Sequence, residues 1–206
     1  MVHHTTKLDT TKPEYNLRVQ EEEKGNCKIL PFSVSEDDAK SVNLRAMMQG
    51  DMRTICAGTY WKLIVDGLIM MSNTPSEVLD LREIVYQAKG QILINGLGLG
   101  VLLEMILAKP EVEHIEVIEN SPDVIHLVGR HYDKEDKVDI IEGDAYTWKP
   151  PKGKRYDVVW HDIWPAIDED NLEEMGTLHR RYGRRTYWQD SWGKLECLRL
   201  RRGGYR

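Results

Sequence analysis

Cysteine is scarce in this chain: Cys27, Cys56 and Cys197 are scattered and odd in number among 206 residues. That excludes a disulfide-stapled scaffold and offers no zinc-ligand spacing, so reduced thiols in a cytoplasmic protein are expected. No run of about 18 apolar residues exists, which excludes a membrane-spanning helix of ordinary length. The opening stretch MVHHTTKLDTTKPEYN lacks the apolar core of a secretory signal. His126 and His131 lie five apart and would not share a helix face well, so no metal site is expected.

What is present is ordinary for a soluble globular chain, with 41% hydrophobic and 30% charged residues. The length suits one domain with a small appendage. The net charge of −6 is uneven, however. From Thr177 to Arg206 nine Lys/Arg face only Asp190 and Glu196, a net of +7 that leaves −13 for the remainder. Such a stretch can serve as a nucleic-acid surface. The favoured reading is a solvated helix with cations near its C-terminus, because the acidic body would repel phosphate.

The chain is organised around QILINGLGLGVLLEMILAKPEVEHIEVIEN, residues Gln91 to Asn120. Ile92–Ile94, bounded by Gly90 and Gly96, reads as a fully buried parallel strand. The turn Asn95-Gly96-Leu97-Gly98-Leu99-Gly100 lets the backbone bend sharply and approach a ligand closely. A helix from Val101 ends before Pro110, and a second apolar run, Ile115–Ile118, ends in Glu119. An acid about 20 residues past such a turn is placed to take a ribose diol. The glycines follow G-x-G-x-G rather than G-x-G-x-x-G, since Val101 stands where a dinucleotide fingerprint needs a small residue. The plain alternative is a glycine turn that only packs.

Elsewhere, Glu21-Glu22-Glu23-Lys24-Gly25 reads as a linker or frayed arm, and Cys27–Val34 as a strand that Pro31 would place at an edge. Ser35 looks like a helix N-cap followed by acids, with Gly50 as a stop. TYWKLIVDGLIMM, from Thr59 to Met71, predicts a hairpin turning at Asp66-Gly67. Thr74-Pro75-Ser76-Glu77 predicts a capping box opening a helix to about Ala88. After Glu119 come a helix from Ser121 to about Tyr132, a strand Val138–Ile141 and then Gly143-Asp144. A strand Tyr156–Trp160 precedes His161-Asp162, and a charged helix runs to about Tyr182. One more helix is expected near Asp190–Arg201, ended by Gly203-Gly204. Strands alternating with helices predict an α/β, doubly wound, Rossmann-like parallel sheet, abbreviated at its C-terminus, with an N-terminal β-hairpin/helix extension. The expected units are a flexible arm over 1–24, the extension over 25–90 and the Rossmann-like domain over 91–206. Glu119, Asp144 and Asp162 all fall at C-terminal strand ends, where ligands bind in such sheets.

From Tyr60 to Pro165 the sequence resembles spermidine synthases and related proteins of the class I S-adenosylmethionine-dependent methyltransferase fold. The hairpin LIVDGLIM, the segment GVLLEMILAKPEVEHIEVIENSPDVI, the turn GDAYTW and the strand YDVVWHD carry the likeness. The resemblance implies S-adenosylmethionine as cofactor, held by Asn95, Gly96, Gly98, Gly100, Glu119, Asn120, Asp144 and Ala145. Within that set Glu119 would accept from both ribose hydroxyls, and Asp144 with the Ala145 N–H would take the adenine. Asp162 matches the acid that helps deprotonate the attacking group, which makes it the candidate catalytic residue.

The departures narrow the reaction. Asp162-Ile163-Trp164-Pro165 lacks the second acid of the synthases, Leu99 replaces their loop aspartate, and Met70 or Met71 stands for the ribbon glutamine. Ile94 lacks the acid usual in methyltransferases two residues before the first glycine, as the synthases do. Methyl transfer to a small-molecule or polypeptide acceptor is therefore the expected activity. Aminopropyl transfer and a non-catalytic nucleoside-binding or assembly role are the alternatives. Too few residues follow Tyr182 for the usual fifth, sixth and seventh strands, so an unpaired sheet edge could support a homodimer. Trp160, Trp164, Trp188 and Trp192 are candidates for a pocket wall. Core packing is the preferred role for Trp160, and His161 is expected to face away from Asp162.

Overall fold

A computed structural model describes residues 17–48 and 53–203. Two sheets divide the chain. The first is antiparallel, in the order β1 (Glu22–Lys24), β2 (Cys27–Val34), β3 (Gly58–Val65) and β4 (Leu68–Ser72). The expected hairpin is β3–β4, and Asp66 and Gly67 take φ of 51° and 80°, the left-handed pair that a two-residue turn requires. The expected linker at Glu21–Gly25 is instead β1, paired with β2 and joined to the second sheet's helices by a Glu22–Arg130 ion pair. Its length and charge disguised it, because three charged residues give no apolar alternation. Pro31 does not make β2 an edge strand throughout. β1 covers only Cys27–Ile29, and Pro31, paired with Trp61 on β3, lies beyond it.

Helix α1 (Glu36–Met48) is capped by Ser35, whose Oγ accepts the Asp38 N–H at 3.1 Å. The expected stop at Gly50 lies outside the described residues, as does Gly204. The capping box at Thr74 does not form. Thr74 makes no side-chain cap, and Glu77 accepts from the Ser72 N–H and hydroxyl instead. The expected single helix is broken into α2 (Pro75–Asp80) and α3 (Arg82–Gln87).

Among the described residues the second sheet has five strands, all parallel, in the order β7-β6-β5-β8-β9. They are β5 (Gly90–Asn95), β6 (Val112–Glu119), β7 (Val138–Glu142), β8 (Tyr156–His161) and β9 (Thr186–Ser191). The last corrects the sequence reading, which placed only a helix after Tyr182. TYWQDS is too polar to announce itself as a strand, and its neighbours determine it: Trp188 stacks on Trp160 and Gln189 bonds the His179 carbonyl.

Helices cover both faces, so the middles of the central strands are apolar, Ile92–Ile94 in β5 and Val158–Trp160 in β8. Ile92 and Ile94 pack with α4 (Val101–Leu107) and α5 (Pro122–Leu127) through Leu103, Ile106, Val124 and Leu127. Leu93 and Val159 point the other way, onto Met175, Leu178 and Tyr182 of α6 (Asn171–Tyr182) and Cys197 of α7 (Lys194–Gly203). The fold is the doubly wound, Rossmann-like sheet the alternation predicts. Chain order reverses between β5 and β8, which opens a crevice at the C-terminal strand ends. Among the described residues no helix is long and apolar enough to cross a membrane.

Candidate functional site

That crevice is a cavity of about 490 Å³, inside the range of roughly 300–1,000 Å³ usual for small-molecule sites. Its floor is the strand ends, and one wall is the antiparallel sheet, through Leu63, Val65, Met70 and Met71.

The turn after β5 forms one side. Gly96, Gly98 and Gly100 take φ of 99°, 55° and 77°, where a side chain would strain the backbone. A Cβ would also strike protein at each of them: the Asp162 carbonyl at 2.0 Å, the Met71 sulfur at 2.5 Å and the Tyr132 hydroxyl at 2.6 Å. The three glycines are thus required by backbone and packing, whatever the turn binds. Gly96 and Gly98 line the cavity, while Gly100 is buried as the lead-in to α4. Asn95 is fully buried and turned away, its amide 2.7 Å from the Nδ1 of His161.

Glu119 ends β6 with both carboxylate oxygens engaged. Oε2 accepts the Leu97 N–H and Oε1 the Ser121 N–H, each at 2.9 Å. A carboxylate oxygen has about two acceptor sites, so one on each oxygen remains for a ligand. Asn120 lines the cavity beside it. Asp144 and Ala145, just past β7, form the next part of the rim. Asp144 is exposed and accepts the Tyr146 N–H at 2.8 Å, whereas Ala145 is buried.

Asp162 follows β8 and is half-buried at the cavity wall. Burial pushes its carboxyl up to about 7, with the Trp160 indole N–H opposing the rise and the carboxylates of Glu77 and Asp80 adding to it. A group poised there can exchange a proton near neutral pH. His161 does face away, as the strand alternation predicts. It is wholly buried, and burial together with neighbouring His179 drives its pKa down to about 3, so it stays neutral.

Several lining residues were not picked out as site residues from the sequence. Glu174, on α6, accepts the Trp164 indole N–H and the Tyr146 hydroxyl, each at 2.7 Å, and so fixes two aromatic walls. Glu77 reaches the cavity from α2, its carboxylate held by the Ser72 N–H and hydroxyl. Nothing local in the sequence marks these two, since each arrives on a different element. Of the four tryptophans, Trp164 and Trp192 wall the cavity and Trp160 packs in the core. Among the described residues, all the ionisable side chains of the lining apart from Tyr146 are acids, namely Glu77, Glu119, Asp144, Asp162 and Glu174.

The polar groups fit a nucleoside: an acidic acceptor at the end of β6, a carboxylate with a buried neighbour at the end of β7, and apolar walls between. No protein-family model matches the chain, and no curated protein matches it either. Among solved structures it is similar to a protein from Pyrococcus horikoshii described as a candidate RNA methyltransferase. The identity is 17% and the TM-score 0.41, over 56% of this chain and 54% of that one. The 23S rRNA methyltransferase ErmE follows, with 14% identity and a TM-score of 0.33 over 41% of this chain and 33% of that one. Trypanosoma brucei PRMT1, in its enzyme–prozyme complex with AdoHcy, has 17% identity and a TM-score of 0.33, over 41% and 28%. The chain spans about half the length of the first of these and less of the others, and likenesses this distant establish neither a family nor an activity.

Proposed function

We propose that the protein is a class I S-adenosylmethionine-dependent methyltransferase. One observation carries the reading: the acids at the ends of β6, β7 and β8 and the glycine turn after β5 all border one cavity at the switch point of the sheet. Glu119 would hold the ribose hydroxyls through its two remaining acceptor sites, and Asp144 with Ala145 would hold the base. Gly96 and Gly98 would lie along the methionine part. When bound, the cofactor supplies an electrophilic methyl group on a sulfonium. The chain's own contribution is to hold the acceptor in line, to exclude water with Trp164, Trp192 and the hairpin, and to take the acceptor's proton on Asp162. The acceptor is a small molecule or a polypeptide side chain able to enter a cavity of this size.

Aminopropyl transfer, as in the spermidine synthases, gains from a second observation. Glu77 and Glu174 give the cavity carboxylates that the sequence motifs lack, and among the described residues no Lys, Arg or His lines it. Such a cavity favours a cationic ligand.

Calorimetry with S-adenosylmethionine, its decarboxylated form, 5′-methylthioadenosine and NAD separates these readings. Tightest binding of intact S-adenosylmethionine is expected. A preference for the decarboxylated form would favour aminopropyl transfer, and silence from all three sulfur nucleosides would sink both.

A further inference from the structure

The opposite end of the parallel sheet carries a second feature that the cavity does not explain. The segments Lys149–Tyr156 and Arg180–Tyr187 contain eight Lys/Arg and no acid, in a chain whose net charge is −6. They are 24 residues or more apart in sequence, and the parallel pairing of β8 with β9, Tyr156 against Thr186, brings them side by side. Arg155 and Arg185 then stitch the two together, donating to the Arg184 carbonyl at 3.1 Å and the Pro151 carbonyl at 3.3 Å respectively. Arg181 similarly braces the chain before β8, reaching the carbonyls of Thr147 and Trp148.

The braced loop leaves charges for a partner. Lys149, Lys152 and Arg184 are exposed. Acids beside the loop are already engaged: Glu116 is buried and paired with Lys154, Asp157 accepts the Gln91 N–H at 2.8 Å, and Glu113 accepts from the Gln91 side chain. Beside these cations stands Tyr187, which is 77% exposed on the edge strand, with the Arg155 guanidinium 5.4 Å from its ring centroid. A large aromatic ring left in water beside a guanidinium has no packing role in the core.

We propose that this surface, at the N-terminal ends of β8 and β9, binds single-stranded nucleic acid. Exposed cations track a phosphate backbone, and an aromatic face takes an unstacked base, the pairing that sequence-tolerant single-strand binding uses. A duplex would offer the phosphates but no free base for Tyr187. The surface lies one strand length from the cavity, about 20 Å for a six-residue strand. It is therefore a tether for the protein and not the place where an acceptor reacts, and it stands whether or not the cavity transfers a methyl group.

Fluorescence anisotropy of the full chain with a labelled single-stranded oligonucleotide of about 20 nucleotides, read across a salt series, tests this. Binding that weakens with salt is expected, and a matched duplex should bind less tightly. The Lys149→Glu/Lys152→Glu/Arg184→Glu variant changes only exposed side chains and should weaken binding at least about tenfold. Tyr187→Ala should weaken it about fivefold or more without changing the salt slope. Lys40→Glu, on α1, should leave it unaltered. Circular dichroism of each variant confirms folding, and should the triple variant misfold, Tyr187→Ala and Lys152→Glu alone still decide. Absence of binding, equal binding by the charge-reversed chain, or tighter capture by phosphatidylserine vesicles that ignores Tyr187→Ala would each overturn the proposal.

Discussion

Gly96 and Asp162 stand so close that a Cβ on the glycine would lie 2.0 Å from the aspartate's carbonyl oxygen. The turn after β5 and the turn after β8 are therefore fitted to one another, which locks the candidate base beside the glycine loop. Gly96→Ala must both accept φ of 99° and push that carbonyl away. A loss on the order of 3 kcal/mol or more is expected from strain plus overlap. Gly67→Ala also sits at positive φ but meets nothing within 4 Å, so only about 1–2 kcal/mol is expected there. Urea unfolding of the two variants checks the contrast, and equal losses would show that the carbonyl contact is unimportant.

Glu119 both shapes the loop and faces the cavity. Glu119→Gln replaces one oxygen by a donor that cannot accept the N–H of Leu97 or Ser121 while also meeting a ribose hydroxyl. Binding of S-adenosylmethionine should weaken by about a hundredfold, as expected for losing charge-assisted hydrogen bonds. Calorimetry on the folded variant reads this directly. Retention of wild-type affinity would remove Glu119 from the site.

Asp162 and His161 respond oppositely to pH. The Asp162 carboxyl is raised to about 7, so between its ordinary value near 4 and that point the folded state binds more protons than the unfolded. Its contribution to stability is present at low pH and is lost as pH rises through this window. His161 is lowered to about 3, so its contribution is lost as pH falls from about 6.5. Asp162→Asn removes the first slope and leaves the second. The variant should gain on wild type above pH 7 and lose stability more steeply on acidification. Urea midpoints at several pH values test this, and midpoints that track wild type throughout would contradict it.

If Asp162 takes the acceptor's proton, the rate should rise with pH through about 7, as the carboxyl ionises. Asp162→Asn should abolish that limb and lower kcat by roughly 10²–10⁴-fold. Glu174→Gln keeps the shape but weakens the hold on Trp164 and Tyr146, so KM should rise with less effect on kcat. Initial rates across pH, once an acceptor is found, distinguish a proton carrier from a wall.

Much of the parallel sheet was legible because its signals are local. Ile92–Ile94 is apolar in every residue and Ile115–Ile118 in all but Glu116, as suits strands covered on both faces, and Gly96 and Pro110 punctuate the helix between them. Asp66-Gly67 announced its hairpin for the same reason, since few other pairs accept two left-handed residues in succession. Glu119, Asp144 and Asp162 could be placed at strand ends by counting along the chain. The sequence by itself thus determined the strand–helix alternation and which acids end the strands.

Only the tertiary structure decided the rest. β9 exists because the edge of β8 supplies its hydrogen bonds and Trp160 its packing, neither of which is written in TYWQDS. Glu77 became a cavity residue when Ser72 took its carboxylate, and Glu174 when α6 folded against the turn after β8. Likewise, a +7 tail was readable as composition, but its arginines met the Lys149–Arg155 loop only through parallel pairing. The physical reason is one of range. Propensity and periodicity act over a few residues, whereas a cavity wall or a charged surface is assembled from segments that meet only after the chain has folded.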